Sequence, residues 1–311
     1  MTELCSADSR ARAEPLTATA SRVERWLLVE HRGAWGPESV PSSRLSPQLA
    51  RSLAATARAA AARLLMVRRP KGVPAEHGRW VFAADSRPGA EQLLARHVER
   101  DADLMHLTLP VGAGSSPDPG AEGWQPYDGP LYLVCTHGRH DRCCALLGRP
   151  VAQALATRYP DRTWESSHVG GDRFAANVVV LPAGTYLGRV EPDEVTRVVD
   201  QLAAGLLPAG RVRGRSSLPL PTQAAQAFAR EALDRWGVAD LDLVRQDAAG
   251  PDAWRVRLGS SNGSGPAGPD VEVVVRYDRR GDGGPHVLSC DDPAKIAPVF
   301  RQVSLAELAP S

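Results

Sequence analysis

Long apolar runs are missing from this chain. Nowhere do about 18 consecutive apolar residues occur, the length that a membrane-spanning helix needs. A surplus of one charge is missing too: Lys and Arg number 37, Asp and Glu 36, and the net charge is +1. A dedicated nucleic-acid binder needs a basic excess to meet phosphates, so that class is set aside. The opening stretch MTELCSADSRARAEP carries acidic residues early and no apolar core, which is not the form of a secretory signal. A cytoplasmic protein without membrane attachment is the expectation. Cysteine is sparse and odd in number, at Cys5, Cys135, Cys143, Cys144 and Cys290. An odd set with two adjacent members, in a reducing compartment, argues against a disulfide framework and for metal or redox chemistry. No P-loop, dinucleotide fingerprint, Ser-His-Asp arrangement or paired-carboxylate motif stands out.

What is present reads as alternating strands and helices, an α/β chain long enough for more than one domain. Residues 1–23 are polar and read as a partly ordered tail. Apolar runs predict strands at 25–31, 64–68 and 80–84. Ser46 is a predicted N-cap with Pro47 as the first residue of an Ala-rich helix reaching about residue 62. Residues 92–109 read equally as helix or strand, and 112–129 as a loop or linker. A similar unit then begins: a strand at 131–135, a helix at 145–159, a short strand at 163–167, a hairpin over 177–190 and a helix at 192–206. The order β-α-β-β-β-α approaches the minimal thioredoxin-like plan, and both halves are expected to share it. A Pro-rich connector at 211–222 leads to a small α+β module with a helix at 222–236. Its predicted strands lie at 242–245, 254–258, 271–277 and 286–289, and a loop spans 259–270. The expected division is 1–125 as an N-terminal thioredoxin-like half, 126–215 as the domain carrying the Cys/His site, and 216–311 as the accessory module.

Two motifs carry chemistry. In Cys135-Thr-His-Gly-Arg-His-Asp-Arg-Cys143-Cys144, the first thiol ends a strand and the last opens a helix, which places both on one rim of a sheet. A helix N-terminus favours the thiolate, the form that binds metal or reacts. Core packing is the plainer role for a cysteine, but three in one short loop beside Arg and His make it a poor account. Cys143 and Cys144 are neighbours and should point apart, one at the site and one packed. In Ser166-Ser167-His168-Val-Gly-Gly-Asp172-Arg173, the Gly170-Gly171 pair permits a tight turn that could bring the Asp172 carboxylate back to the His168 ring. Such a pair can coordinate metal or orient a general base, or can simply satisfy the local backbone. Both motifs should emerge at the same end of the same sheet. Cys5 reads as a free thiol in the tail, and Cys290 as a core residue or a distant contributor. Arg211, Arg213 and Arg215 form a basic stripe, either solvated or suited to an acidic redox partner.

At these residues the sequence resembles the sucrase/ferredoxin-like family, a group of thioredoxin-like ferredoxins. The likeness runs over most of residues 1–215 and is sharpest in CTHGRHDRCC, WESSHVGGDRFAANVVVLPAGTYLGRV and RGRSSLPLP. The resemblance implies a thioredoxin-like fold. In characterised eukaryotic relatives it also implies a 2Fe–2S cluster held by two cysteines and two histidines. Cys135 and Cys144 match the cysteine ligands, and His168 matches the first histidine of a His-x-x-x-His motif. Asp172 stands where the second histidine is found, which leaves three outcomes: Asp172 ligates, another residue such as Cys143 or Cys290 takes its place, or no cluster binds. His140 stands where the family loop usually carries Arg. The resemblance carries no expectation of sucrase, or glycosidase, activity.

The leading expectation is an electron carrier with a 2Fe–2S cluster, served by an unidentified redox partner protein. Arg139, Arg142 and Arg173 are expected to surround the cluster with charge and hydrogen bonds. Two rivals remain: a thiol-based oxidoreductase using Cys135 or Cys144, and a zinc-stabilised binding module with two cysteines, one histidine and one aspartate. The missing Cys-x-x-Cys weighs against the first.

Overall fold

The chain opens on a short helix, α1 (Cys5–Ala11), where the sequence suggested a loose tail. Cys5, Ser6 and Ser9 are buried in it. The polar members find partners far along the chain: Ser6 Oγ donates to Cys143 Sγ at 3.2 Å, and Arg189 Nη2 donates to Ser9 Oγ at 3.0 Å. Local sequence could not reveal this, because the burial is supplied by residues more than a hundred positions away. This computed structural model describes residues 4–74, 76–110, 123–260 and 268–309.

Strands are decided by alternating burial. Along β1 (Arg25–Glu30), Trp26 and Leu28 enter one core while Leu27 and Val29 enter another. This is the period-two pattern of a strand covered on both faces. Ser46 caps α2 (Pro47–Ala59), its hydroxyl accepting from the Leu49 amide at 3.2 Å. Then follow β2 (Ala62–Arg68), β3 (Arg79–Asp85) and β4 (Gln92–Val98), so the ambiguous segment begins as a strand. A single 3-10 turn at Asp101–Leu104 succeeds it. Residues 111–122 of the expected linker lie outside the described residues; beyond them Trp124 is fully buried and Gln125–Pro126 forms a two-residue edge strand, β5.

The second unit repeats the first. It comprises β6 (Leu131–Cys135), α3 (Arg142–Arg158), β7 (Thr163–Ser166), β8 (Val178–Leu181), β9 (Thr185–Leu187) and α4 (Val195–Ala203). In each unit the first two strands are parallel and the next two antiparallel. The two thioredoxin-like halves join edge to edge through β2 and β7, with Val67 opposite Ser166 and Arg68 opposite Glu165. The result is one mixed ten-stranded sheet in the order β10-β9-β8-β6-β7-β2-β1-β3-β4-β5. One face carries a core that spans both halves, with Trp26, Phe82, Trp164 and Tyr186. The other face carries two separate cores, one beneath α2 and one beneath α3 and α4.

The connector is in part a strand. Val212–Arg215, β10, pairs with β9 and closes that edge of the sheet. Its arginines are not a solvated stripe: Arg213 is 1% exposed, Arg211 pairs with Glu194 at 2.6 Å, and Arg215 pairs with Glu91. The C-terminal module packs α5 (Leu220–Leu233) against an antiparallel sheet of β11 (Asp242–Gly250), β12 (Ala253–Gly259), β13 (Val271–Asp278) and β14 (Val299–Glu307). Residues 261–267 of its expected loop lie outside the described residues. The expected strand at 286–289 is only an isolated bridge from His286 to Lys295. Its residues turn toward α3 and so serve an inter-module contact rather than a ladder. No helix among the described residues is long and apolar enough to cross a membrane.

Candidate metal centre

The site lies at the carboxyl ends of the parallel pair β6 and β7. Cys135 is the last residue of β6, and His168 follows β7 by two positions. Asp141 starts α3, accepting the Cys143 amide at 2.7 Å, which sets Cys143 and Cys144 in the first turn. Gly148 allows α3 to lie flat on the strand end, because a Cβ there would stand 2.0 Å from the Cys135 carbonyl oxygen. Gly171 has φ +80, which lets the chain double back and brings Asp172 to His168.

Cys135, Cys144 and His168 offer ligand atoms all within 4.8 Å of one another, and so do His140, His168 and Asp172. Asp172 is the hub. Cys144 Sγ donates to its Oδ1 at 3.1 Å, His168 Nδ1 lies 2.9 Å from the same oxygen, and His140 Nε2 lies 3.7 Å from Oδ2. The His140 and His168 rings lie over one another at 3.8 Å between centroids. Both thiols are buried, so the pair shares its charge unequally. The bond from Cys144, with His168 nearby, holds Cys135 well below the ordinary thiol range. Cys144 is pushed well above that range, first by Cys135 and then by burial. Burial works against a charged His168, but the Asp172 carboxylate and Cys135 sulfur outweigh it and raise the ring to about 9. Burial likewise opposes ionisation of Asp172, and His168 more than offsets it, holding the carboxyl below its usual value.

These donors suit a metal. His168 Nδ1 is buried and off the line of a hydrogen bond to Asp172, so it has a charge contact but no directed partner. Two sulfurs, two imidazoles and a carboxylate converge there. A bound metal would displace the protons these groups hold. His137, from the same loop, has another task. Its Nε2 lies 2.8 Å from the Gly36 carbonyl, which can only accept, and its Nδ1 accepts the His168 amide at 3.3 Å. Both nitrogens are engaged, and burial holds this ring below the ordinary histidine value. It pins the backbone of His168.

Other expected participants stand apart. Arg173 pairs with Glu14 at 2.7 Å and lies over Phe174. Arg139 and Arg142 line a neighbouring cleft of about 790 Å³ with Trp35, Arg68 and Arg149. Cys143 and Cys290 belong to a different group, with Cys5 and Asp141. Cys143 thus turns to Cys5 and Cys290, while Cys144 turns to Asp172. His140 was noticed in the sequence only as a departure from the family loop. The signal that could have found it is the His137-x-x-His140 spacing.

Comparison with known proteins places these features in context. A stretch of 95 residues is 33% identical to altered inheritance of mitochondria protein 32 of Meyerozyma guilliermondii, covering 27% of this chain and 34% of that protein. The chain thus matches about a third of the length of this curated relative. Among solved structures, the thioredoxin-like 2Fe–2S ferredoxin of Aquifex aeolicus is 20% identical, over 30% of this chain and 97% of that one, with a TM-score of 0.26. A cysteine-to-serine variant of the same ferredoxin is 23% identical, over 27% and 97% of the two chains, with a TM-score of 0.24. The sucrase/ferredoxin-like family model matches residues 16–214, more than half of the sequence, and the chain belongs to that family.

Proposed function

We propose that the protein is a one-electron carrier whose site holds a 2Fe–2S cluster through Cys135, Cys144, His168 and His140. The observation that carries this reading is the His168 imidazole, its Nδ1 buried without a directed hydrogen bond, within ligand reach of the two buried sulfurs of Cys135 and Cys144, with a second imidazole 3.8 Å from its ring centroid. When bound, such a cluster supplies reversible one-electron chemistry, with imidazole ligation raising its potential relative to thiolates alone. Asp172 departs from the family's ligand pattern. Its hard oxygens suit such a site poorly, and they are already shared among Cys144, His168 and His140. In this reading Asp172 orients the two imidazoles, and His140 restores the nitrogen missing from position 172. The two departures from the family pattern thereby compensate each other.

The residues around the site shape access to it. The cysteines are covered, whereas His140 is 37% exposed at its side chain and forms the edge nearest solvent. Arg139, Arg142 and Arg149 with Leu146 line the adjacent cleft. That combination suits an acidic redox partner with an apolar centre.

The test is anaerobic purification of the full chain with iron and sulfide counted and the visible spectrum recorded. Wild type is expected to be coloured, with two irons and two sulfides per chain. Cys135→Ala, Cys144→Ala, His168→Ala and His140→Ala are each expected to lose most of the iron, while Asp172→Asn keeps its colour with a shifted potential. Full iron content in both Cys135→Ala and His168→Ala would defeat the whole assignment. Bleaching of Asp172→Asn with retention in His140→Ala would return the fourth position to Asp172.

A further inference from the structure

The helix start that delivers Cys144 inward delivers its neighbour Cys143 to a second assembly, which the proposed electron-transfer site does not use. Cys143 Sγ lies 3.3 Å from Cys290 Sγ and 3.5 Å from Cys5 Sγ, and Cys290 Sγ lies 3.6 Å from Cys5 Sγ. The three sulfurs form a closed triangle. All three cysteines are buried and free. Above the triangle stands the Asp141 carboxylate, its Oδ2 3.7 Å and its Oδ1 3.9 Å from Cys5 Sγ. Asp141 is itself completely buried. The four residues come from three distant parts of the chain: α1, the start of α3, and the segment between β13 and β14.

Geometry narrows what this group can be. A disulfide would need about 2.05 Å between two sulfurs and would leave the third thiol over. Sulfurs bound to different irons of a cluster stand well beyond mutual contact, so the triangle is too tight for one. A single tetrahedral zinc ion with bonds of about 2.3 Å to sulfur requires sulfur–sulfur edges of about 3.8 Å. With a zinc–oxygen bond of about 2.0 Å the oxygen–sulfur edges come to about 3.5 Å. The sulfur–sulfur edges of 3.3 to 3.6 Å are somewhat shorter than in such a tetrahedron and the edge from Asp141 Oδ2 to Cys5 Sγ, at 3.7 Å, somewhat longer, while all four ligand atoms lie within 4.8 Å of one another. Simple apolar packing explains three touching cysteines less well, because it would not seat an ionisable carboxylate against them.

The surroundings are those of a built ligand set. Asp141 is held by the amides of Cys143 at 2.7 Å and Cys290 at 2.6 Å and by the Ser289 hydroxyl at 3.0 Å. Such bonds fix a ligating carboxylate in orientation. Ser6 Oγ donates to Cys143 Sγ at 3.2 Å, and the N-terminus of α3 offers its dipole to the negative set. Leu4, Leu147 and Val287 close the group with apolar contacts.

We infer that Cys5, Cys143, Cys290 and Asp141 form a closed structural zinc site that adjoins the Cys135/His168 site, Asp141 lying also within 4.8 Å of Cys144 and Asp172, but shares no ligand with it. Loading it releases the thiol protons and forms four metal–ligand bonds with no change of oxidation state. The ion ties α1 and the C-terminal module to the helix that carries Cys144, so each module helps to hold the other site in register. The inference stands whether or not the inner site takes an iron–sulfur cluster, and the two are read by different metals.

The experiment counts zinc and iron by plasma mass spectrometry in the full chain, purified without added chelator from cells supplied with both metals. Wild type is expected to carry one zinc per chain, and Cys135→Ser to keep it. Cys5→Ser and Cys290→Ser are each expected to lose at least about tenfold in bound zinc while keeping the iron of the wild type. Should these variants fail to fold, native mass spectrometry of the wild type decides. A single zinc adduct, displaced by a mercurial in step with exposure of three thiols to alkylation, supports the site. Zinc-free wild type, zinc retained in full by both variants, iron in place of zinc in Cys135→Ser, or a Cys143–Cys290 disulfide in the purified chain would each overturn it.

Discussion

Arg213 is the residue through which the connector strand reaches the site, and replacing it by Met tests that link. The guanidinium is buried, and burial, helped by the neighbouring Arg173 charge, pulls its pKa down to about 10 from 12.5. That shift corresponds to a cost of about 3 kcal/mol for keeping the charge inside. Against it stand four hydrogen bonds. Nη1 donates to Gly170 O and Asn177 Oδ1, each at 2.8 Å; Nε donates to Thr19 Oγ1 at 3.1 Å; and Nη2 donates to the Thr19 carbonyl. Bonds from a charged donor contribute about 1.5–3 kcal/mol each, or about 6–12 kcal/mol together before non-additivity. The bonds win. Arg213→Met fills much of the same volume but loses the cation over the Phe174 and Tyr186 rings and leaves Gly170 O, Asn177 Oδ1 and Thr19 O without their donor. A net loss of about 3 kcal/mol or more is expected, which for a chain of this size lowers the melting temperature by roughly 6–12 °C. Because Gly170 belongs to the turn between His168 and Asp172, bound iron should fall with it. Differential scanning calorimetry alongside iron analysis reads both. A melting point within about 2 °C of wild type would show that charge burial cancels the bonds, and the reasoning would fail.

Three further outcomes are expected. Gly148→Ala would force its methyl into the Cys135 carbonyl oxygen, 2.0 Å away, and lift α3 from β6. A destabilisation of about 2 kcal/mol or more, measured by urea unfolding, should accompany loss of bound iron, whereas an unchanged midpoint refutes the close approach. Asp85 bridges Arg87 at 2.6 Å and Arg25 at 3.5 Å, and although burial opposes its charge, Arg87 holds its carboxyl below the usual value of 3.8. Its contribution is therefore full above that value and is lost as pH falls through the lower folded-state pKa. Asp85→Asn should cost about 1–3 kcal/mol at neutral pH, with the gap to wild type closing as the pH falls through the lowered folded-state pKa of Asp85; a gap that persists in strong acid counts against the ion pair. Charge reversal at Arg139 and Arg149 should slow electron exchange with an acidic acceptor most at low ionic strength, as read by stopped-flow absorbance. A rate indifferent to both salt and charge would remove the cleft as a docking surface.

The local code of the fold was legible. Ser46-Pro47 marked its helix start, the strands at 64–68, 80–84 and 131–135 stood out as apolar runs, and the repeated β-α-β-β order showed in both halves. These follow from capping, period-two burial and turn chemistry, which act over a few residues. The segments misread share one cause. The α1 tail, the β10 connector and the stretch at 286–289 are short and polar, and their partners lie far along the chain. Arg213 looked like a surface charge because nothing within its own neighbourhood offers the acceptors that surround it.

The site shows the same boundary. From sequence alone came the two motifs, their convergence at one sheet end, and the family to which the chain belongs. Those depend on residue type and on local spacing between a strand end and a helix start. Tertiary structure decided everything that depends on facing. It turned Cys144 toward Asp172 and Cys143 toward Cys290, laid His140 over His168, made Asp172 a hub, and carried Cys5 and Cys290 from opposite ends of the chain to within 3.6 Å of one another. Adjacent side chains at a helix start diverge by about a hundred degrees, and only the packing of three modules around that start determines what each of them meets.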